Sequence, residues 1–191
     1  MNSVTDAVLV AAFRDGDAEA FEALYRRHEA GLYSFVLAMV KDEAAASDIF
    51  QETFIRVFRN IDKYSEEGKF KGWLYRTASN LAMDHFRRAS RLGSFLPDGE
   101  DEEAPQREPS ARGEEPEILL DRLSDGEAVA KALDALPPEQ KEVVLMREYS
   151  GMSFKEIAQA TGAPLGTVLA RMSRAVRKMR AALEKGERLP L

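Results

Sequence analysis

Apolar residues recur at steps of three and four along most of the chain, and no run alternates convincingly with the period of two that a half-buried strand needs. This patterning predicts an all-α fold, with helices over 5–14, 17–40, 44–61, 70–91, 125–136, 138–149, 153–161 and 165–185. In the second helix the apolar face is Phe21, Leu24, Tyr25, His28, Leu32, Phe35, Val36 and Met39, with Asp17 placed as its N-cap. The third carries Ile49, Phe50, Phe54, Val57, Phe58 and Ile61, which is more apolar surface than one stripe requires. Beside it lie Asp48, Gln51, Glu52 and Arg56. Excess apolar surface among ordered charges suits a protein–protein contact, and it equally suits core packing with a solvated face.

The helical period breaks from Gly93 to about Pro116, a stretch rich in Gly, Pro, Asp, Glu and Ser with almost no apolar residues. Such a segment buries too little surface to order itself, so the expectation is two small helical domains, 1–92 and 118–191, joined by a flexible acidic linker over 93–117. The acidic linker reads as a solubilising tether, with shielding of a basic patch as the other possibility.

The C-terminal domain holds the most specific local pattern. Ser153 followed by Glu156 is a capping-box pair, Ala158 is small enough for close helix crossing, and Gly162 stands where the chain must turn. The helix beyond the turn has a buried stripe of Leu165, Val168, Met172, Ala175, Met179 and Leu183. Thr167, Arg171, Arg174 and Lys178 fall on another of its faces, where they offer a hydroxyl and cations to phosphates and base edges. Together these features predict a helix-turn-helix that places a helix in the DNA major groove. A plain helical hairpin with a basic face is the blander alternative.

The net charge of the 191 residues is −6, which is unpromising for a DNA binder until its distribution is followed. Residues 69–92 carry Lys69, Lys71, Arg76, Arg87, Arg88 and Arg91 against Asp84, a local charge of +5. Residues 171–188 also reach +5, while 93–127 reach −9. Local charge governs contact with nucleic acid more than the total does. In the first basic region Tyr64, Phe70, Trp73, Tyr75 and Phe86 interleave with the cations, an arrangement suited to stacking unstacked bases, and Asn80 can meet a base edge with donor and acceptor together. Taken singly, each aromatic also fits a core role, and Phe70, Trp73, Leu74, Thr77, Ala78 and Leu81 make an inner stripe.

Three ordered motifs then resemble one family, the bacterial RNA polymerase sigma factors of the extracytoplasmic-function type. Ala46-Ser47-Asp48-Ile49-Phe50-Gln51-Glu52-Thr53-Phe54 resembles that family's A-x-D-x-x-Q-E-x-F signature. Phe70 to Arg88, with Trp73-Leu74, Asn80 and Asp84 in step, resembles its minus-ten segment. Leu136-Pro137 through Glu156-Ile157-Ala158 and Gly166-Thr167-Val168 to Arg174-Ala175 resembles its minus-35 domain. The resemblance implies that Asp48, Gln51, Glu52, Phe54, Arg56 and Phe58 bind core polymerase. It implies that Tyr64, Phe70, Lys71, Trp73, Arg76, Asn80, Asp84, Arg87 and Arg88 engage the minus-ten element, and that Thr167, Arg171, Arg174 and Lys178 engage the minus-35 element. The implied partners are core polymerase through its β′ clamp and β flap, promoter DNA, and an anti-sigma factor. Leu169, Ala170 and Val176 depart from the family, which often has a basic residue, a serine and a basic residue there; the departure bears on minus-35 preference.

Other classes fit less well. A sigma-like decoy lacks a use for the basic faces, and a one-component repressor leaves the first 92 residues without a role. Asp48 and Glu52 lie one turn apart but read better as a solvated or partner-contacting pair than as a metal site. His28 and His85 are isolated, the first expected on the core face and the second near the basic run. Cysteine is absent, so disulfides and thiolate metal sites are excluded. No catalytic residue, metal or cofactor is expected, and the chain is not expected to be an enzyme. No apolar run has membrane-spanning length and the N-terminus lacks a signal-peptide pattern, so no membrane insertion and a cytoplasmic location are expected.

Overall fold

The computed structural model describes residues 4–65, 69–91 and 126–186. The acidic linker expected over 93–117 lies outside the described residues. Helices α1 (Asp6–Arg14), α2 (Ala18–Val40), α3 (Glu43–Asn60) and α4 (Phe70–Arg91) form the first unit, with a 3-10 turn (Ile61–Lys63) after α3. Helices α5 (Gly126–Asp134), α6 (Pro138–Leu145), α7 (Phe154–Thr161) and α8 (Leu165–Gly186) form the second. Among the described residues there is no strand.

The ends of the helices follow from local chemistry. The Asp17 carboxylate accepts from the Glu19 amide at 3.0 Å and Asp42 from the Ala45 amide at 2.7 Å, opening α2 and α3. Ser153 opens α7 with the reciprocal capping box to Glu156. Each such cap is worth roughly 1 kcal/mol. Gly162 closes α7 at φ 73°, a conformation that glycine takes without a Cβ penalty, and its amide returns to the Ala158 carbonyl. The expected single helix over 138–149 is instead α6 followed by a π turn, Met146–Ser150. There the Ser150 hydroxyl donates back to the Met146 carbonyl and accepts from the Met152 amide, an alternative to the regular ladder.

In the first unit α2 packs on α1, α3 and α4. Leu24, Leu32, Phe35 and Val36 are sealed between them, as the periodicity predicts. His28 is buried on the same face, where its Nε2 meets Asp6 Oδ2 at 2.8 Å. Burial pushes the Asp6 carboxyl up, but hydrogen bonds from His28 and Arg27 outweigh it and hold it below its ordinary value. In the second unit α8 packs on α5, α6 and α7 through Val168, Met172, Ala175 and Met179. Leu165, expected in that stripe, is 44% exposed because it starts the helix at the rim of the turn.

The two units meet along a seam in which α2 and α4 face α6, α7 and the π turn. The Tyr75 hydroxyl donates to the Tyr149 carbonyl at 3.1 Å, and Ser79 donates to the Glu142 carboxylate. Lys41, in a left-handed conformation after α2, reaches Asp134 at 3.2 Å. Asp134 also accepts from Lys141 at 3.0 Å. Burial pushes the Tyr75 phenol up to about 12.

Burial likewise raises the Glu142 carboxyl, opposed by the Ser79 hydroxyl and the Arg171 charge and reinforced by Glu139. A carboxyl raised on folding adds stability that is fully present below its unfolded pKa and is lost as pH rises through the folded value. Glu142→Gln, which leaves an acceptor for Ser79, is therefore expected to raise the melting temperature more at about pH 7.5 than at about pH 4.5. Thermal melts of both proteins at the two pH values check this; an equal gain at both contradicts it.

Candidate nucleic-acid and polymerase interfaces

The α4 helix divides its residues between core and solvent. Phe70, Leu74, Ala78 and Ala82 point inward, while Arg76, Asn80, Arg87 and Arg88 are exposed along one side. Asp84 is half-buried and pairs with Arg87 at 2.7 Å, so one cation of this face is already neutralised locally. Two of the aromatics that interleave with the cations are sealed in the interior. Phe70 is 1% exposed and Tyr75 is 1% exposed, so both are core side chains. Phe70 lies under the site, with Trp73 at 6.1 Å and Tyr64 at 6.4 Å between ring centroids. Phe86 and Trp73 are half-buried.

Trp73 and Tyr64 form a parallel stack, 4.9 Å between centroids and tilted by 14°. They line a cleft of about 620 Å³ together with Lys69, Lys71 and Arg76. A flat aromatic pair beside cations offers a base a stacking surface and its phosphate a counter-charge. The loop that carries Tyr64 is pinned by Arg14, a residue that no motif or spacing singles out. Its guanidinium donates to the Ile61 carbonyl from Nε at 3.0 Å and from Nη2 at 2.6 Å, and Nη2 also donates to the Tyr64 carbonyl. Three N–H groups of one planar fork thus hold the carbonyls at the end of this helical turn, where the Ile61 carbonyl also accepts from the Tyr64 amide at 3.2 Å.

On α3 the polar and apolar predictions separate. Asp48, Gln51 and Arg56 are exposed and Glu52 is half-buried, with Arg56 Nε donating to Glu52 at 2.7 Å. Gln51 donates to the Ser47 hydroxyl at 3.2 Å. Phe54, expected at the partner surface, is only 6% exposed and belongs to the core against Tyr25, 4.7 Å between centroids. Phe58 is 52% exposed and rests edge-on against Phe21 at 5.1 Å. Ile55, 42% exposed, was not singled out by the sequence, because it falls outside the apolar stripe; with Phe58 it makes an apolar ridge on a charged helix.

On α8, Thr167, Arg171 and Arg174 are half-buried and Lys178 is exposed. Arg171 lies close enough to Glu142 for its charge to oppose, without cancelling, the burial that raises that carboxyl's pKa. The exposed line beside them runs through Gly166, Ser173 and Arg177, with half-buried Leu169 and Ala170 between. Arg177 and Arg180 are exposed cations that the sequence stripe did not include. Their signal was the turn-by-turn spacing from Gly166 rather than from Thr167. Among the described residues no group of three or more His, Asp or Glu side chains is placed to hold a metal ion, and no helix is long and apolar enough to cross a membrane.

Comparison with known proteins agrees with these two helical units. The sigma-70 region 2 model matches residues 24–92, and the sigma-70 region 4 model matches 126–179. The chain is 35% identical to the ECF RNA polymerase sigma factor SigE of Mycolicibacterium smegmatis over 87% of its length, but spans 62% of that relative. It is 32% identical to the RNA polymerase sigma factor CarQ of Myxococcus xanthus, covering 90% of this chain and 93% of that one. Its structure is similar to that of CnrH in complex with the cytosolic domain of CnrY, with a TM-score of 0.67, 27% identity, and coverage of 94% and 97% of the two chains. A similar fold, TM-score 0.67 at 22% identity over 87% of this chain and 98% of the other, occurs in the sigma factor RpoE of Bartonella quintana bound to the anti-sigma factor NepR. With both sigma regions matched in order and a relative at 32% identity aligned over 93% of its length, the chain belongs to the ECF-type RNA polymerase sigma factors.

Proposed function

We propose that this protein binds core RNA polymerase and directs promoter recognition, promoter opening and transcription initiation, acting in the cytoplasm by binding rather than by catalysis. The observation that carries the reading is the pairing on one chain of the stacked Tyr64–Trp73 surface, edged by Lys71 and Arg76, with a capped helix-turn-helix. The first suits an extruded base and the second suits duplex DNA. Residues 1–92 take the minus-ten and polymerase-binding roles, 93–117 the tether, and 118–191 the minus-35 role. Asn80 holds the edge of a flipped base, while Arg76, Arg87 and Arg88 hold phosphates. Thr167, Arg171, Arg174 and Lys178 read the minus-35 element, with Arg177 added to them.

The α3 surface of Asp48, Gln51, Glu52, Arg56 and Phe58 docks on the β′ clamp, and the C-terminal unit meets the β flap. An anti-sigma factor is the further partner, since the Ile55–Phe58 ridge needs a cover when polymerase is absent. Tethering two modest contacts makes the second effectively intramolecular, so neither unit needs high affinity alone. Adding the purified chain to core polymerase on a library of promoter fragments is expected to yield discrete transcripts from a subset of them. A chain that neither associates with the core enzyme nor changes its start sites overturns this function.

A further inference from the structure

Helix α1 precedes residues 24–92, the segment that the region 2 model matches, so that match gives it no role. It is nevertheless fastened at both ends close to the stacked rings. At its first turn Asp6, which lines the Tyr64–Trp73 cleft, accepts from Arg27 Nη1 at 2.6 Å and meets His28 Nε2 at 2.8 Å. His28 in turn lies 5.6 Å from Phe70, the ring beneath the stack. In the middle of the helix Leu9 and Val10 are buried. At its last turn Phe13 packs on Phe21 and Phe58, at 5.1 Å and 5.5 Å between ring centroids. Helix α1 is therefore a short strut fixed along its length, and Arg14 is its last residue.

The Arg14 guanidinium reaches from this strut to the Ile61 and Tyr64 carbonyls, 47 and 50 residues further along the chain. Tyr64 follows the 3-10 turn and precedes α4, so it belongs to no helix. Its amide closes the turn on the Ile61 carbonyl, and its own carbonyl accepts from Arg14 Nη2. Trp73, by contrast, is carried by α4 and stands edge-on to Phe70. One ring of the stack is thus placed by a helix, and the main chain that carries the other is placed by Arg14.

The energetics separate placement from stability. Arg14 is exposed, and its bond to the Tyr64 carbonyl lies at the surface. Water can take over at such carbonyls, so the net stability carried by these bonds is small. Water cannot reproduce their geometry. A planar fork that donates to two carbonyls at once fixes both distance and orientation. A stacking surface that is already formed has little freedom left to lose when a base arrives, and its affinity is higher for that reason.

We propose that Arg14 is a positioning residue for base capture: from α1 it holds the Ile61 and Tyr64 carbonyls, so that the Tyr64 ring stays stacked on Trp73 before any DNA arrives. Its Nε and Nη2 donors are turned to the main chain, and it acts on DNA through Tyr64 rather than by touching a phosphate. The inference rests on the promoter-opening reading above and adds a residue outside the matched region to the same site.

Trp73 is the single tryptophan of the chain, so its emission reports on the stack directly. Arg14→Met keeps the stem and removes the donors. In the full-length variant Trp73 is expected to become more accessible to acrylamide quenching, with the melting temperature nearly unchanged. Binding of a random-sequence single-stranded DNA of about 12 nucleotides is expected to weaken about fivefold, the lower end of what one base-stacking contact contributes. In a Tyr64→Ala background the same substitution is expected to change binding no further, because a residue that acts only through Tyr64 has nothing left to place. A phosphate contact or a general structural role would add its loss in either background. Unchanged quenching, retained DNA affinity, or an added loss in the Tyr64→Ala background each overturns the positioning role. Should Arg14→Met not fold, Arg14→Lys carries the same cycle with the same expectations, since it keeps the charge but not the fork. Run-off transcription with core polymerase tests the promoter reading separately: an unaltered chain that never directs initiation removes that function, while the quenching and the cycle still decide what Arg14 holds.

Discussion

Phe58→Asp is expected to weaken binding to core polymerase by about thirtyfold or more, the roughly 2 kcal/mol lost when a central aromatic anchor is removed from an interface. Phe58 combines two properties that rarely coincide in a merely structural side chain. It is 52% exposed, and it sits beside Ile55, itself 42% exposed, on a helix whose other exposed residues include Asp48, Gln51 and Arg56. Its ring is held from below by Phe13 at 5.5 Å and by Phe21 at 5.1 Å between centroids, so it is presented to a partner with little rotamer freedom left to lose. A buried carboxylate at such an anchor would also be desolvated without a counter-ion. The melting temperature is expected to fall only modestly, because the contacts with Phe13 and Phe21 that the substitution removes lie at the edge of the core and the rest of the ring is already in water. Equilibrium binding to labelled core enzyme, paired with a thermal melt, checks both halves. Retained affinity in a well-folded variant removes Phe58 from the docking surface, and a large loss of stability reassigns the ring to the core.

How far the chain could be read beforehand depends on the range of the interactions concerned. The helices were legible because each buries a stripe of its own sequence, and the capping of α2 and α7 was legible because Asp17, Ser153 and Glu156 act within one turn. The turn at Gly162 was legible for the same reason. The break at Leu145 was not: the π turn that follows it depends on Ser150 bonding back to Met146, and nothing in the apolar spacing distinguishes that from a continuing helix.

The candidate surfaces were legible only in part. Residue type and spacing pointed to Arg76 and Asn80, which are exposed, and to Trp73, which is half-buried, whereas Phe70 and Tyr75 carry the same aromatic signal as Trp73 and are core. Tyr75 is covered because the second unit docks over it, a contact 74 residues away in the chain. The same docking turns Gln140, Lys141 and Glu142, which read as an ordinary polar helix face, into buried residues. Arg14 escaped notice because its partners are main-chain carbonyls, which have no sequence signature.

Phe70 separates a contacting role from a supporting one. Phe70→Ala is expected to destabilise the protein by about 3–5 kcal/mol, the cost of emptying a sealed aromatic site that neighbouring side chains cannot refill. The ring is 1% exposed and touches the cleft only through others: Trp73 stands edge-on to it, and His28 lies 5.6 Å away between ring centroids. Removing it takes the floor from under the Tyr64–Trp73 stack, so loss of promoter opening in Phe70→Ala would be ambiguous by itself. Phe70→Leu resolves it. Leucine refills most of the volume and is expected to cost far less stability, while it removes any stacking that the phenylalanine ring could offer to a base. Chemical denaturation measures the stability of both variants, and permanganate reactivity of promoter thymines in the polymerase complex measures opening. If Phe70 is a floor, Phe70→Leu opens promoters nearly as well as the unaltered chain. If Phe70→Leu is folded and stable yet leaves the thymines unreactive, the ring itself meets the DNA, and the α4 surface must rearrange to expose it when the promoter binds.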